Sequence, residues 1–425
     1  MRFFQSGNSL ATFAASLLLV NLPVFVSAEP NPVIGKPVFN HPPGNEKEQY
    51  AIFQQLARII DRVPKGESIE MSWWGFVASW TSDTENKPNL PKRLINAHNR
   101  GVNVRIILDN NHNFGGQGNS KLYPYITLAK ALGTKDTARS YILVCPNAKG
   151  CIAKRKVAGS YAFNHNKFLL ASRVVLDGGA VVPNVVFQSS GNLGPWDADT
   201  VWNDAVTWSE TSSFKDYRKY FSDLRANYNG PGNDNYYRVG PESETYQTYF
   251  FPRKETNGNY RQTSTDTIVN ILNSVKCTYV SKEDGKKHQT NIRILMWAIR
   301  RLAIGEKLAS LVRDGCNVDI AYNAMSPEVS KALKNTGGKK IGVTKCAVAY
   351  QGRTLWPHTK YMLIEGEYEG HQEPCVITGS HNYEMSALRN ADEAMVCIRS
   401  ASMHSAYLRD SFEKVRDMCS GKTKP

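Results

Sequence analysis

A histidine and a lysine separated by one residue occur twice in this 425-residue chain, each time before an apolar run. His165 and Lys167 precede residues 168–171, and His358 and Lys360 precede residues 361–364. Side chains two apart in a strand share a face, so each histidine should point the same way as its lysine. The apolar runs suit buried central strands that hold each polar pair rigidly. A single pair of this kind is usually a surface histidine beside a solvated lysine, without a functional role. Its repetition predicts a shared anion site.

The sequence around this pattern is duplicated as well. Residues 94–106 and 308–320 each predict a helix that ends at a glycine, Gly101 or Gly315, and is followed by a strand. A match over a stretch of this kind indicates duplication of a whole domain, not a short solenoid repeat.

The duplication continues downstream. Residues 185–192 match residues 375–382, where a strand ends in small residues followed by a serine and an asparagine two apart. These are Ser190 with Asn192, and Ser380 with Asn382. Small residues let the backbone approach an anion closely. Residues 202–206 then match residues 391–395, which aligns Asp204 with Glu393 at the head of another strand.

The rest of the chain suggests how these halves are arranged. The first 28 residues have the sparse positive start, apolar centre and small-residue end of a removable secretory signal. We therefore expect a secreted or periplasmic protein. The predicted organisation is a signal peptide at 1–28, an extended N-terminal arm at 29–48, a first domain at 49–228, a linker at 229–260 and a second domain at 261–420.

Eight cysteines in a chain with an export signal favour structural disulfides over a metal site. Cys145 and Cys151 bracket a short turn-rich loop, so we expect them to pair. The sequence does not fix the connectivity of the other six cysteines. No metal-binding motif occurs, and we expect neither a metal nor another cofactor.

The formal net charge of +14 favours phosphate-bearing partners, either a polymer such as nucleic acid or an anionic membrane surface. Lysine and arginine are scattered along the chain, so charge alone does not choose between them. Solubility is the simpler explanation of the same charge.

Taken together, the motifs resemble those of the phospholipase D superfamily, whose members carry two His-x-Lys motifs, each followed by a Gly/Ser-x-Asn element. The resemblance covers the chain from about residue 50. It departs where the family commonly has an aspartate five residues after the lysine, since these positions hold Ser172 and Glu365. The first Gly-Gly or Gly-Ser element is likewise Ser189-Ser190. The resemblance implies an α/β protein of two duplicated α/β/α domains, each a mixed β-sheet flanked by helices, with the active site at their interface.

The chemistry that this implies is phosphodiester cleavage. One imidazole attacks phosphorus to give a phosphohistidine, and the second protonates the leaving oxygen and then activates water. By resemblance we assign His165 as nucleophile and His358 as acid/base, with the reverse order as the alternative. Electrostatic stabilisation of the transition state is expected from side chains that bind the phosphate oxygens. The candidates are Lys167, Lys360, Asn192, Asn382, Ser190 and Ser380.

Each histidine should also need a carboxylate on its other ring nitrogen, and the repeat points to Asp204 and Glu393. The aromatic residues Tyr161, Phe163, Trp196, Trp202, Trp356 and Tyr361 cluster beside the motifs. Such side chains hold a choline-like cation, stack nucleic-acid bases or simply fill a core.

We therefore predict a phospholipase D-like phosphodiesterase that acts on phospholipid head groups. The alternatives are a metal-independent nuclease of the same superfamily, and an inactive phosphate- or membrane-binding protein. Two half-sites within one chain remove any need for a dimer, so a monomer is expected.

Overall fold

Two mixed β-sheets with the same strand order dominate the fold. The computed structural model describes residues 1, 30–111, 116–241 and 243–425, and the predicted signal peptide lies outside them apart from its first residue. Asn31–Pro425 form one compact unit. The strands of the first sheet are, in spatial order, Pro37–Phe39, Asp204–Ser209, Val181–Ser189, Lys167–Val175, Ser68–Trp73, Asn103–Leu108 and Tyr141–Val144.

The second sheet repeats this order and adds one strand at its edge. Its strands are Arg238–Val239, Tyr246–Phe250, Ala394–Arg399, Cys375–Gly379, Lys360–Glu365, Asn291–Ile299, Asn317–Met325 and Gly342–Lys345. The predicted α/β class with a duplicated, helix-flanked mixed sheet is therefore confirmed. The predicted domain boundaries stay a prediction.

Three strands at one end of each sheet run parallel, because a helix crosses over between each successive pair. These helices are Leu90–Asn99 and Tyr123–Leu132 in the first half, and Leu302–Arg313 and Pro327–Ala332 in the second. Gly101 and Gly315 follow two of them with φ of 92° and 104°, the left-handed conformation that glycine adopts without strain.

The remaining helices cover the sheets and connect strands. They are Glu46–Gln49, Ala51–Asp61, Pro195–Asp199, Thr211–Asn227, Thr267–Asn273, Met385–Arg389, Ala401–Tyr407 and Glu413–Cys419, with a π-helical turn at Leu408–Phe412 and 3₁₀ turns at Asn119–Lys121 and Asp177–Gly179. Small strand pairs complete the fold: Val275–Lys276 with Glu367–Tyr368, Thr278–Val280 with Lys287–Gln289, and Val348–Tyr350 with Arg353–Pro357. Among the described residues, no helix is both long and apolar enough to cross a bilayer.

The strand that follows each His-x-Lys motif is buried on both faces, as its continuous apolar run predicts. Phe168 and Leu170 pack into a core that also contains side chains of the second sheet. Leu169 and Ala171 point the other way, into a core beneath the helices of the first half. This burial fixes the strand on both sides, and with it the polar residues at its start.

The N-terminal arm supplies an edge strand to the fold. Pro37–Phe39 pair with the strand Asp204–Ser209 as the edge of the first sheet. The next residue, Asn40, is buried and donates hydrogen bonds to three backbone carbonyls, those of Asp197, Ala198 and Val201. A proline-rich segment without apolar periodicity can still supply an edge strand, because pairing there needs only backbone groups.

The predicted disulfide between Cys145 and Cys151 is confirmed. Two further disulfides join Cys277 to Cys316 and Cys346 to Cys419. Cys375 and Cys397 are buried and not bridged.

Candidate active site

The two His-x-Lys motifs meet because each half extends a short strand to the other. Phe163–Asn164, just before His165, pair in parallel with Ala391–Asp392 of the second half, and the backbone N–H of His165 donates to the carbonyl of Asp392 at 2.9 Å. Correspondingly, Trp356 and Pro357 pair with Val201 and Trp202, and the N–H of His358 donates to the carbonyl of Trp202 at 2.8 Å. Each histidine is thus placed by the opposite half.

A disulfide loop reinforces the first of these junctions. The carboxylate of Asp392 accepts hydrogen bonds from the backbone N–H groups of Cys151, Ile152 and Ala153, at 2.6–3.1 Å. The backbone at the end of the Cys145–Cys151 loop, in the first half, therefore binds the residue that precedes Glu393 in the second half.

Both histidines are buried and use Nδ1 to contact a polar group of the opposite half. Nδ1 of His165 lies 2.9 Å from Oε1 of Glu393. Nδ1 of His358 lies 2.9 Å from the amide oxygen of Asn203 and 3.7 Å from Oδ1 of Asp197. The two imidazole nitrogens lie on opposite sides of the ring, and Nε2 of His358 lies 3.3 Å from Nζ of Lys360.

The prediction that Asp204 supports a histidine is wrong. Its Oδ2 instead accepts hydrogen bonds from the hydroxyls of Thr378 and Tyr407, at 2.6 and 2.8 Å. The repeat is offset by one residue from the alignment used above. Ser190 N–H donates to the carbonyl of Asp204, whereas Ser380 N–H donates to that of Ala394. Asp204 therefore corresponds to Ala394, and the residue that corresponds to Glu393 is Asn203.

The lysines are buried beside the histidines and have depressed pKa values. The ammonium of Lys167 donates to the carbonyl of His165 at 2.8 Å, and that of Lys360 donates to the carbonyl of His358 at 2.6 Å. Burial lowers the pKa of Lys360 to about 8. Burial, followed by the charge of Lys360, lowers the pKa of Lys167 well below its usual value. An anion at this site would favour the charged form of both.

Burial also disfavours charge on the first histidine and its partner. It lowers the pKa of His165, an effect to which both lysines and His358 add, and it raises the pKa of Glu393. Without an anionic substrate, the pair of His165 and Glu393 therefore carries less charge than the same groups would in water.

A cavity of about 530 Å³ opens onto both histidines. It contains the predicted asparagines, with walls of aromatic side chains from both halves. The lining residues are Trp74, Val77, Phe163, His165, Asn192, Trp196, Asp197, Trp297, His358, Asn382, Glu384, Ser386, Ala387 and Glu393. Among the residues that the structure describes, the amide oxygens of Asn192 and Asn382 have no hydrogen-bond partner.

The two predicted phosphate-binding serines do not line this cavity. The hydroxyl of Ser190 donates to the amide oxygen of Asn203 and accepts from the N–H of Asp204. The hydroxyl of Ser380 contacts the carbonyl and the N–H of Ala394. Both serines thus tie adjacent strands together, and these bonds account for them without a ligand.

The indole rings form a corner beside His358. Trp196 and Trp297 lie at 90° with their centroids 5.8 Å apart, and their centroids are 5.6 and 5.1 Å from that of His358. On the other side, Trp74 and Phe163 contact the ring of His165 edge-on. Of the aromatic residues singled out in the sequence, only Phe163 and Trp196 line the cavity.

Sequence reasoning missed Asp197, Trp297 and Glu384. Asp197 lies five residues after Asn192 on a short helix and gave no repeat signal, because the equivalent position after Asn382 is Ala387. Trp297 stands within the strand Asn291–Ile299, where an aromatic residue is expected for packing alone. No described residues form a cluster of three or more histidine, cysteine or acidic side chains placed to hold a metal ion.

The sequence model of the family described as "Cardiolipin synthase, PLD-like domain" matches residues 74–225 and 286–416, more than half of the chain. The chain belongs to this phospholipase D-like family. Both His-x-Lys motifs fall within the matched segments. No curated protein matches the chain significantly in sequence.

Two solved structures share the fold of this chain at low sequence identity. Phosphatidylserine synthase of Haemophilus influenzae matches with a TM-score of 0.55 at 9% identity, over 90% of this chain and 86% of that one. Polyphosphate kinase of Porphyromonas gingivalis matches with a TM-score of 0.50 at 14% identity, over 89% of this chain but only 50% of the kinase. The chain thus spans about half the length of that kinase. NucT of Helicobacter pylori matches over 41% of this chain, with a TM-score of 0.28 and 12% identity.

Proposed function

We propose that this phospholipase D-like protein is a secreted phosphodiesterase that hydrolyses phospholipid head groups through a phosphohistidine intermediate. The observation that carries the proposal is the convergence of His165 and His358, one from each half, on one cavity with aromatic walls. Three disulfides support an oxidising compartment.

The first step forms the intermediate. Nε2 of His165 attacks phosphorus, the bond from phosphorus to the head-group oxygen breaks, and Nε2 of His358 gives its proton to that oxygen. Glu393 at Nδ1 of His165 stabilises the positive charge that develops on the phosphorylated ring. Lys167 and Lys360 stabilise the negative charge on the equatorial oxygens.

The second step hydrolyses the phosphohistidine intermediate. Neutral His358 takes a proton from water, the water oxygen attacks phosphorus, and the bond from phosphorus to Nε2 of His165 breaks. The head-group alcohol and a phosphatidic acid are then the products, and both histidines return to their starting states.

The walls of the cavity favour a cationic head group. The perpendicular indoles of Trp196 and Trp297 present aromatic surface beside the acid/base histidine, and the faces of such rings attract ammonium groups. Glu384 adds a carboxylate to the same wall and is also paired with Arg300. The ammonium group of a choline or ethanolamine head group would be attracted both by the indole faces and by the carboxylate.

Nuclease activity is the second candidate, and the net charge of +14 favours it. Turnover in EDTA should be measured on phosphatidylcholine vesicles and on plasmid DNA in parallel, for wild type, His165→Ala and His358→Ala. We expect choline release that both substitutions abolish. DNA cleavage alone would establish the nuclease instead. If neither substrate is turned over, the result would contradict the proposal and favour a binding protein.

A further inference from the structure

The two histidines receive unequal support, although their motifs are duplicated. His165 contacts a carboxylate, that of Glu393, whereas His358 contacts the uncharged amide of Asn203 at the equivalent position. An amide oxygen orients an imidazole as well as a carboxylate does, but it does not neutralise an imidazolium. A general acid has to carry that charge in each turnover. The second half-site therefore lacks a negative charge at the position where the first has one.

Of the two described residues at this position of the repeat, Asp197 and Ala387, one is a carboxylate. Oδ1 of Asp197 lies 3.7 Å from Nδ1 of His358, and the aspartate is 7% exposed. The equivalent residue beside His165, five positions after Asn382, is Ala387. The half-site without a direct carboxylate is thus the one that has a carboxylate 3.7 Å from the imidazole.

Hydrogen bonds hold both Asp197 and Asn203 in place beside His358. Oδ1 of Asp197 accepts from the backbone N–H of Asn192 at 2.7 Å. The amide nitrogen of Asn203 donates to the carbonyl of Asp197 at 2.8 Å, which turns its amide oxygen towards His358. Nδ1 of His358 must then carry the hydrogen, because an amide oxygen only accepts. Asn203 therefore sets the tautomer, and Asp197 supplies the charge.

We propose that Asp197 is the positioning carboxylate of His358, acting through its charge behind Asn203 in place of the direct carboxylate found at His165. This inference rests on the proposed function, in which His358 is the acid/base. Lys360 and Lys167 face the same imidazole with positive charge, and the rings of Trp196 and Trp297 flank it. Asp197 offsets the lysines when the ring is protonated.

The test is turnover of wild type relative to Asp197→Asn as a function of pH. Burial raises the pKa of Asp197 to about 6, so the wild-type side chain is ionised at pH 7.5 and protonated at pH 5. The ratio should be roughly tenfold to a hundredfold at pH 7.5, the range found when the outer partner of a metal-bound histidine is removed, and should fall towards one at pH 5. A ratio that is independent of pH would overturn the proposal, because a structural role does not follow ionisation.

Two further variants separate charge from structure. Asn203→Asp in the Asp197→Asn background places a carboxylate directly on Nδ1 and should restore turnover, although the bond to Asn192 is not rebuilt as a charged one. No recovery would count against the proposal. Asp216→Asn is the matched control, since this buried aspartate pairs with Arg238 on a different element, and its ratio should not change with pH.

A second readout does not depend on activity. The ring nitrogens of His358, followed by ¹⁵N NMR, should sense a titration near pH 6 in wild type that is absent from Asp197→Asn. If wild type hydrolyses no phosphodiester, the proposed function fails while this titration still tests the pairing. An unchanged titration in the variant would refute it.

Discussion

At the scale of single residues, the buried lysines set the conditions for binding an anion. Lys167 and Lys360 are 0% and 3% exposed, and their ammonium groups lie next to the two catalytic candidates His165 and His358. Because burial lowers both pKa values, the free site holds its positive charge weakly. An oxyanion stabilises that charge, so its binding should be coupled to proton uptake.

Sulfate tests this coupling, because its own charge does not change between pH 6 and 10. Lys360 has a pKa of about 8 and loses its proton above that pH, so the affinity for sulfate should fall as pH rises. One coupled proton gives at most about a tenfold loss per pH unit. Isothermal titration calorimetry between pH 7 and 9.5 measures it, with Lys360→Met as the control that removes the contribution of Lys360 and leaves that of Lys167. Constant affinity across the range would contradict the assignment.

The carboxylate partner of His165 gives a second residue-scale prediction. Glu393→Gln should lower kcat by about a hundredfold or more, because the phosphorylated imidazolium then loses its counter-charge. Asp204→Asn should cost about 1–3 kcal/mol of stability through its contacts with Thr378 and Tyr407, with a much smaller loss of kcat. Equal losses of kcat in the two variants would disagree with the structure.

Glu393 and Asp204 also show which site residues were predicted correctly from the sequence and which were not. The motif residues could be found because chemistry required them at fixed spacing in both halves. The partner of His358 was missed, since an acid followed by alanine at residues 204 and 393 suggests an alignment that is wrong by one position. In a strand, one position reverses the side of the sheet to which a side chain points. The spacing of 190 residues between Asn192 and Asn382 gives the correct register, in which Asn203 corresponds to Glu393, and the hydrogen bonds of the neighbouring strands agree with it.

At the scale of elements, the N-terminal arm helps to build the site. Asn40 follows the edge strand Pro37–Phe39, and its amide oxygen accepts the backbone N–H of Asn203 at 2.6 Å while its amide nitrogen donates to the carbonyl of Asp197. Both groups behind His358 are therefore held by a residue that lies more than 150 positions earlier in the chain.

Asn40→Leu should consequently affect both stability and turnover. It leaves buried carbonyls and an N–H without partners, which costs about 1–3 kcal/mol for each group left unpaired. Urea unfolding should show this loss, and kcat should fall more than KM changes, because the acid/base residue is displaced while the cavity lining from the second half, such as Trp297 and Asn382, does not contact Asn40. Asn45→Leu is the control, since that exposed residue only caps the helix Glu46–Gln49. Wild-type kcat in Asn40→Leu would exclude a role for the arm in the site.

Elements with strong periodicity were predictable, and those without it were not. The helices predicted to end at Gly101 and Gly315, and the strands predicted to follow them, are observed as Leu90–Asn99 with Asn103–Leu108, and Leu302–Arg313 with Asn317–Met325. Their apolar spacing and the terminal glycine determine them locally. The arm has no such pattern, because its conformation comes from pairing with the distant strand Asp204–Ser209.

At the scale of the whole molecule, the two halves are interlocked. Two-residue strands, Phe163–Asn164 and Val201–Trp202, reach the opposite half, and each histidine takes its Nδ1 partner from there. Segments this short carry no sequence signal of their own, so the exchange of partners could not be predicted. The common core between the sheets explains why Asn31–Pro425 form one compact unit.

The net charge is a property of the whole molecule, and its effect on binding to a membrane can be measured separately from catalysis in the cavity. A charge of +14 should draw the protein to anionic surfaces through long-range forces that salt screens. We therefore expect kcat/KM on vesicles containing an anionic lipid to fall steeply between 50 and 500 mM NaCl.

A small soluble choline phosphodiester is the control for this effect, because it enters the same cavity without engaging the wider surface. Its kcat/KM should change little over the same range of salt. If both substrates lost activity in parallel, salt would be acting on the buried lysines and histidines themselves. Since Lys167 and Lys360 are almost completely shielded from solvent, we expect the two substrates to diverge.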